Sequence, residues 1–171
     1  LFTGLSVFEN VAFPLRELTL LPQSMIKDIV LMKLEGVGLR GAQHLMPNQL
    51  SGGMARRVAL ARAMVLDPQL MMYDEPFTGL DPIAKAVIVE LIKKLNQALG
   101  ISSILVSHDI PETLSICDHV CLIANKKIIA QGSSNEIRSS KDPEVQQFIL
   151  GLADGKIPFQ YPAKNYREDL L

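Results

Sequence analysis

Leu50-Ser51-Gly52-Gly53 and, further along, Leu70-Met71-Met72-Tyr73-Asp74-Glu75 are the stretches whose reading decides the fold. In the first, a serine and two glycines stand directly before a run of good helix formers from Met54 to Leu66. The glycines let the backbone approach a ligand closely, and a helix N-terminus offers N–H groups that have no intrahelical acceptor. With the Ser51 hydroxyl added, this is an arrangement suited to an anion such as a terminal phosphate. A plain helix cap accounts for the same residues. In the second, the unbroken apolar run Leu70–Tyr73 is the mark of a strand buried on both faces of a parallel sheet. It delivers Asp74 and Glu75 to the C-terminal edge of that sheet, where α/β folds bind their ligands. Asp74 can there hold Mg²⁺, usually through water, and Glu75 can orient and deprotonate an attacking water. Two surface acids at a strand end are the plain alternative.

Outward from these stretches the pattern alternates. A weak helical signal runs from Val7 to Ala12. From Ser24 to Glu35, Ile26, Ile29, Val30 and Leu34 fall at helical spacing. A second amphipathic helix spans about Ile83 to Leu99, with Val87, Leu91, Ile92, Leu95 and Leu99 inward and Gly100 as its stop. Ile104-Leu105-Val106 reads as another buried strand leading to Ser107-His108, and His108 can hydrogen-bond a γ-phosphate oxygen. On its own it is a structural histidine. Asp109 and Glu112 have capping-box spacing for a helix to about Cys117. Val120–Ala124 and Ile128–Gln131 read as two strands joined at Asn125-Lys126-Lys127. Ser133 and Glu136 open a further helix, and another lies near Pro143 to Leu150. Strands alternating with amphipathic helices argue for an α/β layered fold with a parallel sheet.

Composition bounds the rest. Of 171 residues, 48% are apolar and 20% charged, which fits a packed domain, and the net charge of −1 gives no reason to expect a nucleic-acid partner. Arg56, Arg57 and Arg62 form a basic patch on the helix after Ser51, read as solvated helix-face charge or contacts near a phosphate. Cys117 and Cys121 are too few for a disulfide framework, and one C-x-x-x-C beside His119 lacks the second ligand pair of a zinc site. No apolar run approaches the roughly 18 residues that cross a bilayer, so a membrane role comes through a partner.

Taken jointly, Leu50 to Arg62, Asp74-Glu75-Pro76, Gly79-Leu80-Asp81-Pro82 and Ser107-His108-Asp109 closely resemble the ABC ATPase family. The resemblance implies the C-terminal part of a P-loop NTPase: a helical subdomain over 1–66, a RecA-like core over 67–140, and a C-terminal helix and tail over 141–171. Ser51, Gly52 and Gly53 resemble the signature motif, which acts in trans on ATP held mainly by a second copy. Asp81 looks like the D-loop aspartate, His108 the switch histidine, Glu75 the catalytic base and Asp74 the Mg²⁺ carboxylate. Met54 departs from the glutamine most common there. The sequence contains no G-x-x-x-x-G-K-[ST] phosphate loop. The expectation is that the N-terminal part of the domain is missing, that the chain alone neither hydrolyses ATP nor is comfortably stable, and that strand faces and edges stay open.

Phe77-Thr78-Gly79-Leu80 resembles transporter subunits, and Leu5 to Val11 is similar to the stretch of importers on which a membrane subunit docks. With Leu50 to Met54, Asp109 to Glu112 and the tail to Leu171, the resemblance narrows to the ATPases of MCE-type phospholipid transporters of Gram-negative bacteria. That implies a homodimer at the cytoplasmic face of the inner membrane, a membrane permease, a periplasmic MCE-domain protein and a STAS-domain protein. Transport of another small molecule and a non-catalytic permease-binding module remain the alternatives. In the tail, Phe159, Tyr161 and Tyr166 are expected to cover a surface, either on the partner ATPase or on their own domain.

Overall fold

The computed structural model describes residues 1–157 and a short helix at Tyr166–Asp169. Phe159 and Tyr161, and the side chain of Tyr166, lie outside the described residues, and with them the expected docking of the tail. The chain divides into two compact units, Leu1–Asp109 and Ile110–Leu171.

The first unit begins with three helices, α1 (Val7–Leu18), α2 (Gln23–Gly36) and α3 (Gly52–Ala63), each packed against the other two. Val7, Val11, Ala12 and Leu15 of α1 are buried, as are Ile26, Val30 and Leu34 of α2 and Val58, Leu60 and Ala61 of α3. These are the i, i+3, i+4 rows that an amphipathic helix turns toward a core. The weak signal at Val7–Ala12 understates α1, which continues past Pro14 to Leu18. Its start is fixed by a capping box that the sequence reading passed over. The Ser6 hydroxyl accepts from Glu9 N–H, and the Glu9 carboxylate accepts from Ser6 N–H. Asn10 is fully buried and fully engaged: its Oδ1 accepts from Phe2 N–H, and its Nδ2 donates to the carbonyls of Phe2, Leu5 and Ser6. One side chain therefore satisfies the polar backbone of the segment that enters α1.

After α3 come β1 (Leu70–Asp74), α4 (Pro82–Leu99) and β2 (Ser102–Val106). The strands pair in parallel, with Leu70 opposite Ser102 and Asp74 opposite Val106. Here the expectation of strands buried on both faces fails. Met71 and Tyr73 are covered, but Leu70, Met72, Ile104 and Val106 are 49%, 72%, 49% and 57% exposed. The cause is the short sheet: in this unit two strands stand side by side, and no described element covers their second face. The open faces expected for a sheet without further strands are present. In α4 the inward row is also shifted. Ile88 and Ile92 are buried, whereas Val87 and Leu99 face solvent. Gly100 ends the helix at φ +61°, as read from the sequence.

The second unit holds α5 (Ile110–Ile116), β3 (His119–Ala124), β4 (Lys127–Ser133), α6 (Ser134–Ser139), α7 (Pro143–Leu150) and α8 (Tyr166–Asp169). Its core is Leu114, Val120, Leu122, Ile137 and Val145. β3 and β4 form an antiparallel hairpin, so the sheet pairing is not parallel throughout. The hairpin turns through Asn125 and Lys126, with φ of +50° and +62°, the conformation of a two-residue I′ turn. The capping box at Ser133 and Glu136 is formed as expected. Buried Gln147 accepts from Ile157 N–H at 2.7 Å and donates to Ile157 carbonyl at 3.0 Å, fastening the chain after α7 back onto that helix. Cys117 and Cys121 are both free, and burial raises the Cys117 thiol. Among the described residues no helix is long and apolar enough to cross a membrane.

Lys126 is an L-residue with a long side chain where the turn favours glycine. Lys126→Gly should therefore stabilise the protein by about 1 kcal/mol, read in thermal denaturation as a rise of roughly 2–4 °C. Asn10→Ala leaves the Phe2 N–H and the Leu5 carbonyl without their side-chain partner and should destabilise by about 1–3 kcal/mol, read as a lower denaturant midpoint at unchanged m-value.

Candidate functional site

The site lies at the C-terminal edge of β1 and at the N-termini of α3 and α4, all within the first unit. The strand ends at Asp74, which is exposed and has no partner among the described residues. The next residue, Glu75, leaves the strand at φ +48° while its N–H still bonds Val106 carbonyl at 2.9 Å. A glutamate in the left-handed region is uncommon, and such strain persists where the surroundings over-determine it.

Those surroundings converge on one atom. Glu75 Oε2 accepts from His108 Nδ1 at 2.8 Å, from Thr78 Oγ1 at 3.0 Å and from Ser107 Oγ at 3.4 Å. The His108 backbone N–H adds a further hydrogen bond to the carboxylate, which stays partly exposed at the strand edge. The donors act on the ionisation of both groups. The hydrogen bond from the His108 ring, joined by those from Thr78 and the His108 backbone and by the His108 charge, holds the Glu75 carboxyl below its usual range against the opposing effect of burial. The Glu75 hydrogen bond and charge raise His108, with Asp109 adding to them and Lys85 opposing.

The serine-glycine turn is built alongside. Ser51 is the N-cap of α3, its hydroxyl accepting from Met54 N–H at 3.2 Å. The capping reading and the anion reading are compatible, because the cap leaves the N–H groups of Gly52 and Gly53 without acceptors among the described residues. A Cβ on Gly53 would meet Ala84 Cβ at 3.2 Å, tighter than ordinary contact, so α3 lies close against α4 at that glycine. Gly52 is looser, with Leu80 3.8 Å from a Cβ placed there. Asp81 caps α4: its Oδ1 accepts from Ile83 and Ala84 N–H at 3.0 and 2.9 Å. Arg56 Nη2 donates to Thr78 carbonyl at 3.3 Å, tying α3 to the loop that carries Glu75's partner.

Sequence reasoning missed Thr78, Ser107, Arg56 and the Lys85–Asp109 pair. Thr78 was findable, since a hydroxyl three residues after a carboxylate across a turn can reach back to it. The basic patch also changes meaning. Arg57 donates to Val37 carbonyl at 3.1 Å and Arg62 lies over the Phe2 ring at 5.2 Å, so with Arg56 all three guanidiniums have internal partners. Glu75, His108 and Asp109 bring ligand atoms within 4.8 Å of one another. Here Glu75 is paired to His108 and Asp109 to Lys85, and the cluster is balanced by its own cations.

The pair has a defined pH window. Glu75 is lowered, so its share of stability is present above its ordinary value and lost as pH falls through the depressed one. His108 is raised, so its share is full below its ordinary value and lost as pH rises through the elevated one. The ion pair is therefore complete between about pH 4.5 and 6.5, the two ordinary values. In NMR titration the His108 ring should titrate above about 6.5, and Glu75→Gln should bring it back down.

Comparison with known proteins finds relatives by sequence and by fold. The ABC transporter family model matches residues 1–78, which include the serine-glycine turn and the Asp74-Glu75 strand. The chain is 58% identical over all 171 residues to the intermembrane phospholipid transport system ATP-binding protein MlaF of Escherichia coli (strain K12), of which it covers 64%. To the protein of the same name from Haemophilus influenzae (strain ATCC 51907 / DSM 11121 / KW20 / Rd) it is 59% identical over its whole length, covering 65%. The chain thus spans just under two thirds of the length of these relatives. Among solved structures, CbiO1 of Clostridium perfringens, part of the ABC transporter complex CbiONQ, superposes with a TM-score of 0.74 at 30% identity, over 86% of this chain and 59% of that one. By sequence along its entire length and by backbone over most of it, the chain is similar to ATP-binding proteins of ABC transporters.

Proposed function

We propose that the chain acts in an ATP-hydrolysing subunit of a phospholipid transporter, with Glu75 as the base that activates water. The observation that carries this reading is the state of the Glu75 carboxylate. Three side-chain donors meet on one oxygen, and the carboxylate stays partly exposed at the edge of a parallel strand. A carboxylate fixed in this way is ionised and oriented before substrate arrives, which is what positioning an attacking water requires. His108 presents Nε2 outward, since Nδ1 is committed to Glu75, and is placed to donate to a γ-phosphate oxygen.

Asp74 fits a magnesium role, being an exposed carboxylate at the strand end with no competing cation among the described residues. When bound, the metal would neutralise charge on the phosphates, and Asp74 would hold it, through water. Ser51, Gly52 and Gly53 are assigned to the γ-phosphate of ATP carried by a second copy, because a capped helix start with two free N–H groups receives anionic oxygen. Asp81, already fixing the start of α4, is assigned to the same dimer junction. The phosphate cradle with its lysine is absent from these 171 residues, so ATP must be held mainly by residues other than these.

The phospholipid cargo is inferred from the names of the MlaF relatives. From the resemblance of its motifs to such ATPases, the proposed partners are an MlaE-like permease, an MlaD-like MCE-domain protein and an MlaB-like STAS-domain protein, and the proposed site of action is the cytoplasmic face of the inner membrane. The helical subdomain over 1–66 and the core over 67–140 are proposed on the same footing.

In the protein assembled with its membrane partners, Glu75→Gln should lower the ATPase kcat by at least about 100-fold while a fluorescent ATP analogue still binds. Unchanged turnover would remove Glu75 as the base. Gly52→Ala is accommodated by the fold, as its Cβ meets only ordinary contact. It should leave thermal stability close to wild type and still depress turnover, because the new methyl group stands where phosphate must approach.

A further inference from the structure

Lys85 and Asp109 were not singled out as site residues, yet among the described residues they form an ion pair with both side chains largely covered. Lys85 Nζ lies 2.5 Å from Asp109 Oδ1, with side chains only 22% and 15% exposed. Each end of this pair is attached to a different part of the site. Lys85 is in the first turn of α4, where its N–H bonds the carbonyl of Asp81, the residue whose side chain caps that helix. Asp109 directly follows His108, and its N–H donates at 3.0 Å to Ser107 Oγ, which in turn donates to Glu75 Oε2.

Resting on the function proposed above, we propose that Lys85 is a positioning residue of the ATPase centre. Through Asp109 it fixes the Ser107-His108 segment against the first turn of α4, so that the Asp81 end of that helix and the Glu75–His108 pair move together. The physical basis is stiffness. A helix turn transmits displacement with little loss, and a partly buried ion pair resists separation because each charge would lose its partner where water cannot fully replace it. Without that tie, the His108 segment loses its ion-pair link to the first turn of α4. The pair then keeps its chemistry and loses its register to α4.

The test uses the protein assembled with its membrane partners. Lys85→Met should lower kcat on the order of 10-fold, the scale of a small misplacement of reacting groups, with the affinity for a fluorescent ATP analogue unchanged within about two-fold. Lys85→Arg, which keeps the charge, should restore most of the rate. Lys85→Met combined with Asp109→Asn should be no slower than the worse single variant, because both break one link. A purely structural pair would lower the melting temperature and leave kcat per folded molecule intact, and that result overturns the proposal, as does a double variant whose losses multiply. Should Lys85→Met fail to fold, Lys85→Asp with Asp109→Lys is the second variant: recovered kcat supports the tie, and a folded, inactive swap overturns it. A wild-type assembly without ATPase activity would sink both readings, whereas an active wild type indifferent to Lys85→Met sinks this one alone.

Discussion

Three donors meeting on Oε2 of Glu75 are the interaction around which the rest of this site is arranged. Holding that carboxylate requires a backbone that turns left-handed immediately after β1. It requires a loop that returns Thr78 to its own starting residue, and a second strand that ends beside the first so that Ser107 and His108 arrive together. Parallel pairing is what makes the last condition hold. Strands running the same way end at the same edge, so chemistry carried at both C-termini is brought into one place.

The cost of that arrangement is visible in the sheet. Leu70, Met72, Ile104 and Val106 stand about half exposed or more. Side chains of this size contribute roughly 1.5–3 kcal/mol each when fully buried. Several kcal/mol of available burial are therefore unused on one face, a large quantity beside the net stability of an ordinary domain. The helical lobe shows the opposite balance. α1, α2 and α3 bury continuous apolar rows, and Asn10 satisfies the polar backbone leading into them. The more self-sufficient packing carries the serine-glycine turn, and the less complete packing carries the carboxylates.

Reading residues in order recovered most elements because their signals are local. Helix starts at Ser51 and Ser133, the stop at Gly100 and the Asn125-Lys126 turn depend on residues within a few positions of one another. Capping and left-handed conformations are set at that range. The errors came where burial was inferred from composition. An apolar strand says that its faces prefer cover, not that cover is present, and the row of α4 that turns inward depends on what α4 meets.

The sequence by itself determined the resemblance to ABC ATPases, the order of elements and the candidate residues for the chemistry, because each rests on residue types at fixed short spacing. Only the tertiary structure decided that three side-chain donors meet on one oxygen of Glu75, and that Arg56, Arg57 and Arg62 are internally engaged. It alone decided that Lys85 meets Asp109 across 24 positions of chain. The physical reason is that pairing between distant residues is fixed by strand register and helix packing. Those are properties of the folded backbone that no window along the chain contains.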